Sequence, residues 1–330
     1  MVAKSVLTIA PLRVSLLGGG TDIESFYSRG TGRVISATID KHVYVHAKIH
    51  DSLFQEKYRI SYSQVELANT LDEIKNEIVR ACIQFIDFHD SLQISTSADL
   101  PASSGLGSSS SFTVALLLAL HTLKGDKVSA AQLAEEACHI EIDLLKSPIG
   151  KQDQYSAAFG GLNQFEFYQN GSVSIQPLAI SANNIKNLFS KSLLIWTGKT
   201  RSASIILENQ KLYQYNNESH LVELSSLALT LKTELLKSTL DFKAIGKLIT
   251  DGWEIKKKLG DLIETPETMD ISRKLSDIGA LGFKLLGAGG GGFFYSLFED
   301  SAPNTIRKLD HWKAFNPQLE TMGARVVSLH

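Results

Sequence analysis

The chain has 330 residues, 43% of them apolar and 21% charged, enough for a sizeable core spread over about two domains and too apolar for disorder. Its net charge of −2 leaves no basic field to favour nucleic acid or an anionic membrane surface. The two cysteines, Cys82 and Cys138, fall in apolar helix-patterned segments without metal-ligand spacing. Reduced core thiols are expected and, since Pro11 and Arg13 break the apolar run after Lys4, a cytoplasmic protein without a cleaved leader.

Taken in order, Leu12–Leu17 reads as a strand with Arg13 and Ser15 on one face, and it runs into Gly18-Gly19-Gly20-Thr21-Asp22. That turn is either a close backbone approach to a polyhydroxy ligand, with Asp22 accepting from its hydroxyls, or the cap of a helix opening at Ile23. Arg33–Ile39 and His42–His50 read as two strands joined by a turn at Asp40-Lys41. His42, His46 and His50 share a face of the second. Residues four apart on a strand stand about 13 Å apart, too far for one metal ion. Tyr58–Ser63 reads as a strand, Leu71–His89 as a helix on the spacing of Leu71, Ile74, Ile78, Cys82 and Phe85, and Leu92–Ser97 as a half-buried strand.

Leu100–Ser111, LPASSGLGSSSS, contains no side chain larger than Leu after Ala102 and leads straight into the apolar run FTVALLLAL. Strand, small-residue loop and buried helix make a phosphate cradle: glycine admits an anion to the backbone, and the first N–H groups of the helix point at it. The competing reading is a helix cap or a serine linker. No lysine follows the last glycine, so this is not a Walker loop.

Ser129–Lys146 reads as one helix, capped by Ser129 with Gln132 three residues on. Glu141 and Asp143, near its C-terminal end, oppose the helix dipole and call for a metal or another cation. Pro148 and Gly150 end it, and KQDQY opens another helix, with Asp153 as either a functional acid or a first-turn aspartate. A hairpin, Leu162–Tyr168 and Val173–Pro177, turns at Asn170-Gly171. The polar stretch Ala179–Ser190 is the candidate boundary between domains 1–180 and 181–330. Beyond it come a strand at Ser192–Trp196, a turn through Arg201 and long helices to about Leu259, on which Lys256, Lys257 and Lys258 read as a solvated face. A helix at about Met269–Leu281, strands Phe283–Leu286 and Gly292–Phe298, a helix at about Pro303–Ala314 and a strand Ala324–Leu329 close the chain. The segment Gly287–Gly292 is either a bulged hairpin or a backbone wall against a ligand.

Three motifs in this order, LRVSLLGGGTD, LPASSGLGSSSS and LLGAGGGGF, resemble those of the GHMP small-molecule kinases over nearly the whole chain. GGGTD, the TIDK of Thr38–Lys41 and the PIGKQDQY of Pro148–Tyr155 resemble the sugar-1-kinase branch. The resemblance implies an α+β, two-domain GHMP kinase fold, with an N-terminal ribosomal-S5-like domain, a C-terminal ferredoxin-like domain and the active site in the cleft between them. It implies ATP and Mg²⁺ as cofactors. Ser104, Gly105, Leu106, Gly107, Ser108, Ser109 and Ser110 would hold the ATP phosphates, and Ser108 and Glu141 the metal. Asp153 would accept the proton of the anomeric hydroxyl, with Arg13 as the cation beside it. Gly19, Gly20, Thr21, Asp22, Gly289 and Gly290 would line the sugar.

Galactokinases carry Glu-His where this chain has Gly19-Gly20, which argues against galactose and for a bulkier sugar. The implied acceptor is a heptose 7-phosphate, phosphorylated on its C1 hydroxyl for nucleotide-activated heptose synthesis. The alternatives are a fucokinase-like enzyme acting on an unphosphorylated sugar and a non-catalytic sugar-binding regulator. The presence of Arg13, Ser108, Glu141 and Asp153 together weighs against the regulator. A distal phosphate calls for arginine, whose fork matches phosphate oxygens: Arg201 first, then Lys199 and Arg29. The expected partners are ATP and the sugar phosphate, with no nucleic acid and no membrane, and a homodimer is left open.

Overall fold

The computed structural model describes residues 4–51, 53–200, 206, 217–307, 309 and 312–330; Arg201 lies outside them. Two long strands, β1 (Ser5–Leu17) and β2 (Gly32–Ile49), form the spine of the first sheet. β1 is buried almost throughout because helices cover one face and the second half of the chain covers the other, which is why its sequence is a near-continuous apolar run. The turn expected at Asp40-Lys41 is instead a bulge within one 18-residue strand: pairing steps from Pro11↔His42 to Leu12↔Ile39 and leaves Asp40 and Lys41 without opposite numbers. The bend lets β2 pair with two strands, β5 (Leu92–Ala98) along its second half and β6 (Leu162–Phe167) along its first.

The sheet order is β12 (Arg325–Leu329), β1, β2, β5, β3 (Tyr58–Ser61), β4 (Val65–Ala68), with β6 and then β7 (Val173–Pro177) branching from β2. The expected strand Tyr58–Ser63 is a hairpin of β3 (Tyr58–Ser61) and β4 (Val65–Ala68), and β3 runs parallel to β5. The helix expected over Leu71–His89 begins only at Glu77, because the Asn76 side chain accepts from Val79 N and restarts the chain; Leu71–Glu73 is a single tight turn. The helix Ser108–Lys124, apolar all round, lies against β1 and β2 as the centre of the first core.

The second sheet is antiparallel, β11 (Ala314–Phe315), β8 (Ser192–Trp196), β10 (Phe293–Leu297) and β9 (Gly282–Leu285), and the helix Phe242–Lys257 packs on β9. The helix expected over Pro303–Ala314 is shorter, Ala302–Ile306, and Ala314 belongs to β11. The stretch read as a boundary holds a helix, Ala182–Ser190, capped by Ser181. The last strand, β12 (Arg325–Leu329), returns to pair with β1. A shared core of Leu12, Val14, Leu106, Leu231, Leu286 and Phe293 joins the halves behind the cleft. Among the described residues no helix is long and apolar enough to cross a membrane.

Candidate active site

A cleft of about 450 Å³ opens between the halves. Arg13, on β1, is its structural hub. Its Nε and Nη2 donate to Asp153 Oδ1 and Oδ2, both at 2.7 Å, and its Nη1 donates to the Gly105 carbonyl at 2.7 Å. One buried guanidinium thus ties a strand, the first turn of the helix Gln152–Phe159 and the small-residue loop. Gly107 caps the helix Ser108–Lys124 in the left-handed region at φ +78°, and an added Cβ would lie 3.2 Å from Asp153 Oδ2. Glycine therefore both makes the turn and leaves that carboxylate oxygen open to the cleft. The helix has no side-chain cap, so its first N–H groups face the cleft beside Ser108, Ser109 and Ser110.

The two glycine-rich motifs form one wall. A Cβ on Gly105 would lie 2.7 Å from the Leu286 carbonyl, one on Gly287 would lie 2.5 Å from Gly105 Cα, and Phe293 N donates to the Ser104 carbonyl at 3.2 Å. Within the first motif Leu106 is core, its carbonyl accepting from Arg13 N at 3.0 Å, and Ser104 is buried with a hydroxyl unpartnered among the described residues; neither lines the cleft. In the second motif Gly287 and Ala288 line the cleft. Gly289 and Gly290, expected against the sugar, turn away: Gly290 N donates to the Ile263 carbonyl at 2.8 Å, and a Cβ on Gly289 would strike Ile263.

Glu141 reaches the cleft through a local change of helix pitch. The helix expected over Ser129–Lys146 is α-helical only over Ala130–Cys138 and widens to π geometry over His139–Leu144, with Leu145 N donating to the Ile140 carbonyl. The wider turn buries Glu141 and leaves Asp143 outside, paired with His139 at 2.9 Å. Glu141 accepts from Ser109 Oγ at 3.0 Å and Gln154 Nε2 at 2.7 Å, and burial pushes its carboxyl up to about 6. A buried carboxylate beside three serine hydroxyls and a helix N-terminus is a hard-oxygen donor set. Among the described residues no three Asp, Glu, His or Cys gather to cage an ion. That donor set fits Mg²⁺, which takes one or two protein oxygens and completes its shell from phosphates and water.

Asp22 is buried, and it caps a helix other than the one it precedes. Its carboxylate accepts from Gly20 N at 2.9 Å and from Gln152 N and Nε2 at 3.1 and 3.2 Å, at the start of Gln152–Phe159. Burial raises its pKa, reinforced by nearby Asp153. Gly19, Gly20 and Asp22 line the cleft, whereas Thr21 faces inward, its hydroxyl donating to the Gly18 carbonyl at 2.8 Å and accepting from Arg33 N at 2.9 Å. Lys199 is exposed and paired with Glu267 at 2.6 Å, and Arg29 is exposed and paired with Glu218 at 2.8 Å; neither lines the cleft. His42 and His46 bond Glu320 and Ser5 respectively.

Ser15, Gln152, Lys256 and Lys284 line the cleft without having been singled out from the sequence. Lys256 is the sharpest correction, being buried rather than solvated. Ile245, Ile249 and Trp253 recur at spacings of four along its helix, and Lys256 lies three residues beyond Trp253 on that same stripe. That periodicity was available in the sequence: Lys258 lies off it, and Lys257, four residues beyond Trp253, lies at its edge, half-buried with its ammonium over the Trp253 ring.

Residues 58–161 match the family model for the GHMP kinases N terminal domain and residues 232–314 that for the GHMP kinases C terminal domain. A D-glycero-alpha-D-manno-heptose 7-phosphate kinase of Campylobacter jejuni is 32% identical over 306 residues, covering 88% of this chain and 89% of the relative. The chain belongs to the GHMP kinases. An L-fucokinase/L-fucose-1-P guanylyltransferase of Bacteroides fragilis is 26% identical over 94% of this chain, which spans 36% of that longer protein. The crystal structure of a D-glycero-D-manno-heptose 1-phosphate kinase from Bacteroides thetaiotaomicron superposes with a TM-score of 0.79 at 25% identity, covering 98% of this chain and 99% of the other. The architecture is the two-domain GHMP kinase fold, and the protein is an ATP-dependent sugar kinase.

Proposed function

We propose that this GHMP kinase transfers the γ-phosphoryl group of ATP to the anomeric C1 hydroxyl of D-glycero-alpha-D-manno-heptose 7-phosphate, giving the 1,7-bisphosphate. The supporting observation is the Arg13–Asp153 pair set against the glycine of the phosphate loop, with Asp153 still 23% exposed to the cleft. Each carboxylate oxygen spends one lone pair on Arg13 and keeps another for a substrate hydroxyl. Phosphoryl transfer through a loose transition state asks for positioning and charge stabilisation rather than a strong base.

In this reading the sugar O1 attacks the γ-phosphorus in line, the bond from phosphorus to the β–γ bridging oxygen breaks, ADP departs, and the O1 proton passes to Asp153. The N–H groups at the start of Ser108–Lys124 and the serine hydroxyls hold the transferring phosphates, and Arg13 offsets developing negative charge. Glu141 and hydroxyls of the Ser108–Ser110 run would hold Mg²⁺, which would supply positive charge to offset that of the ATP phosphates. Ser109, whose hydroxyl already donates to Glu141, joins Ser108 as a candidate ligand. Asp22 and Gln152 orient the sugar hydroxyls. We further propose domains 1–180 and 181–330, with β12 as a C-terminal return to the first sheet.

The test is a kinase screen of heptose 7-phosphate against free heptoses, fucose and other hexoses, with the product position read by phosphorus NMR. A new anomeric phosphate on heptose 7-phosphate, at a kcat/KM above that of every free sugar, is the expected result. Faster phosphorylation of a free sugar would replace this reading with the fucokinase-like one, which the match to the Bacteroides fragilis fucokinase favours.

A further inference from the structure

Two buried lysines stand in the cleft, and among the described residues neither is paired with a carboxylate. Lys256 is 8% exposed and Lys284 4%, and both line the cavity. Lys256 Nζ donates to the Gly287 carbonyl, and Lys284 Nζ donates to the Leu16 carbonyl at 3.3 Å. Among the described residues neither has a carboxylate within ion-pair distance, whereas the third cation of the cleft, Arg13, is already neutralised by Asp153. Each lysine keeps N–H groups beyond its one carbonyl partner. Burying unpaired charge is costly, and both lysines are pushed down, Lys256 to about 8, chiefly by burial. Beside them Ser15 Oγ, on the Arg13 face of β1, is buried, lines the cavity and has no hydrogen-bond partner among the described residues. Two cations and a hydroxyl left unsatisfied in one cavity describe a site shaped for an anion.

The placement says which anion. The ATP phosphates already have the helix N-terminus, the serines and the Glu141 site. The charged groups within electrostatic reach of Lys256 are Arg13 and Asp153, at the point of transfer, and Asp22, on the acceptor side; Glu141 is not among them. Three residues along the chain from Lys256, Leu259 lies 3.9 Å from the space a Cβ on Gly20 would fill, so the end of this helix sits over the GGGTD turn. We infer that Lys256 and Lys284, with the Ser15 hydroxyl, bind a phosphate monoester carried by the acceptor sugar and thereby select phosphorylated over free sugar. This rests on the phosphorylated-acceptor reading above. Lysine serves as a point charge, and a dianionic phosphate matches two of them.

The first measurement is the wild-type ratio of kcat/KM for heptose 7-phosphate over free heptose, which by itself decides whether the acceptor is phosphorylated. If that ratio does not exceed one, both readings fall. If it does, Lys256→Met and Lys256→Arg are compared with wild type. The expected result is that Lys256→Met lowers the ratio tenfold or more, that Lys256→Arg restores most of it, and that KM for ATP stays within about threefold. With the nucleotide site saturated by ADP, inorganic phosphate should raise the melting temperature of the wild type more than that of Lys256→Met. Equal losses on both sugars would show that Lys256 only props the Gly287 loop or serves the transferred phosphoryl group, overturning the inference while the phosphorylated-acceptor reading stands. Lys284→Met is the second probe should Lys256→Met fail to fold; an unchanged ratio in that variant, if folded, also overturns it.

Discussion

Asp153→Asn changes one atom and separates the chemical role of this residue from its structural one. The carboxylate takes two charge-assisted hydrogen bonds from Arg13 at 2.7 Å each. The amide keeps one acceptor and turns an NH₂ group toward a guanidinium that can only donate. One bond to a charged group is lost, worth about 1.5–3 kcal/mol, and Arg13 is left as a buried charge without its counter-ion. Breaking a fully buried ion pair costs about 3–5 kcal/mol, but the exposure of Asp153 to the cleft discounts that figure. A net loss of about 2–3 kcal/mol is expected, which lowers the melting temperature by roughly 5–10 °C for domains of this size. Shape alone would have predicted normal stability; the pairing geometry does not. Turnover, followed by ADP release under single-turnover conditions, should fall by about 10²–10⁴. Adding Arg13→Gln supplies a neutral partner that can accept from the amide, so Arg13→Gln/Asp153→Asn should regain most of the stability and none of the turnover. Recovery of turnover along with stability in the double variant, or near-normal turnover in the single one, would refute the base assignment.

Glu141→Gln should raise the magnesium concentration needed for half-maximal rate severalfold, and an unchanged magnesium titration would remove Glu141 from the metal site. The same variant has a pH signature: burial raises the folded carboxyl from 4.5 to about 6, so its stabilising contribution is complete below 4.5 and lost as pH rises through 6. Metal-free wild type should therefore lose about 1.3 kcal/mol between those values, and about 2 kcal/mol from about pH 3 to pH 7.5, by urea titration, and Glu141→Gln should lose little of it. Gly287→Ala places a methyl 2.5 Å from Gly105 Cα at φ +70°, forcing the two glycine loops apart. KM for ATP should rise at least fivefold in steady-state kinetics, with stability down by about 1–3 kcal/mol. Thr21→Val removes a buried hydroxyl that serves only the Gly18–Arg33 turn, so the melting temperature should fall while KM for the sugar stays put. A rise in that KM without destabilisation would return Thr21 to the sugar site.

Local chemistry made several features legible from the amino-acid order alone. The glycine-and-serine loop before an apolar helix, the hairpin at Asn170-Gly171 and the Ser129 cap each depend on residues close in sequence, and each stands where the pattern placed it. The three motifs also named the family, because their order along the chain is itself a signal. Other features needed the fold. Asp40 and Lys41 look like a turn to any local rule, yet β1 runs past them unbroken and turns them into a bulge. Glu141 enters the cleft through one wide helical turn, which the residue types do not specify. Gly289 and Gly290 belong to the right motif but spend their closeness on Ile263 rather than on the cleft. Lys256 was readable as a buried position from the Ile245–Ile249–Trp253 stripe, whereas its meeting with Lys284 and Ser15 was not, because the three come from a helix and two strands that only packing across the domains brings together. Composition and periodicity report what a residue tolerates beside its chain neighbours; an active site assembled from both halves is decided by long-range contacts that no local pattern encodes.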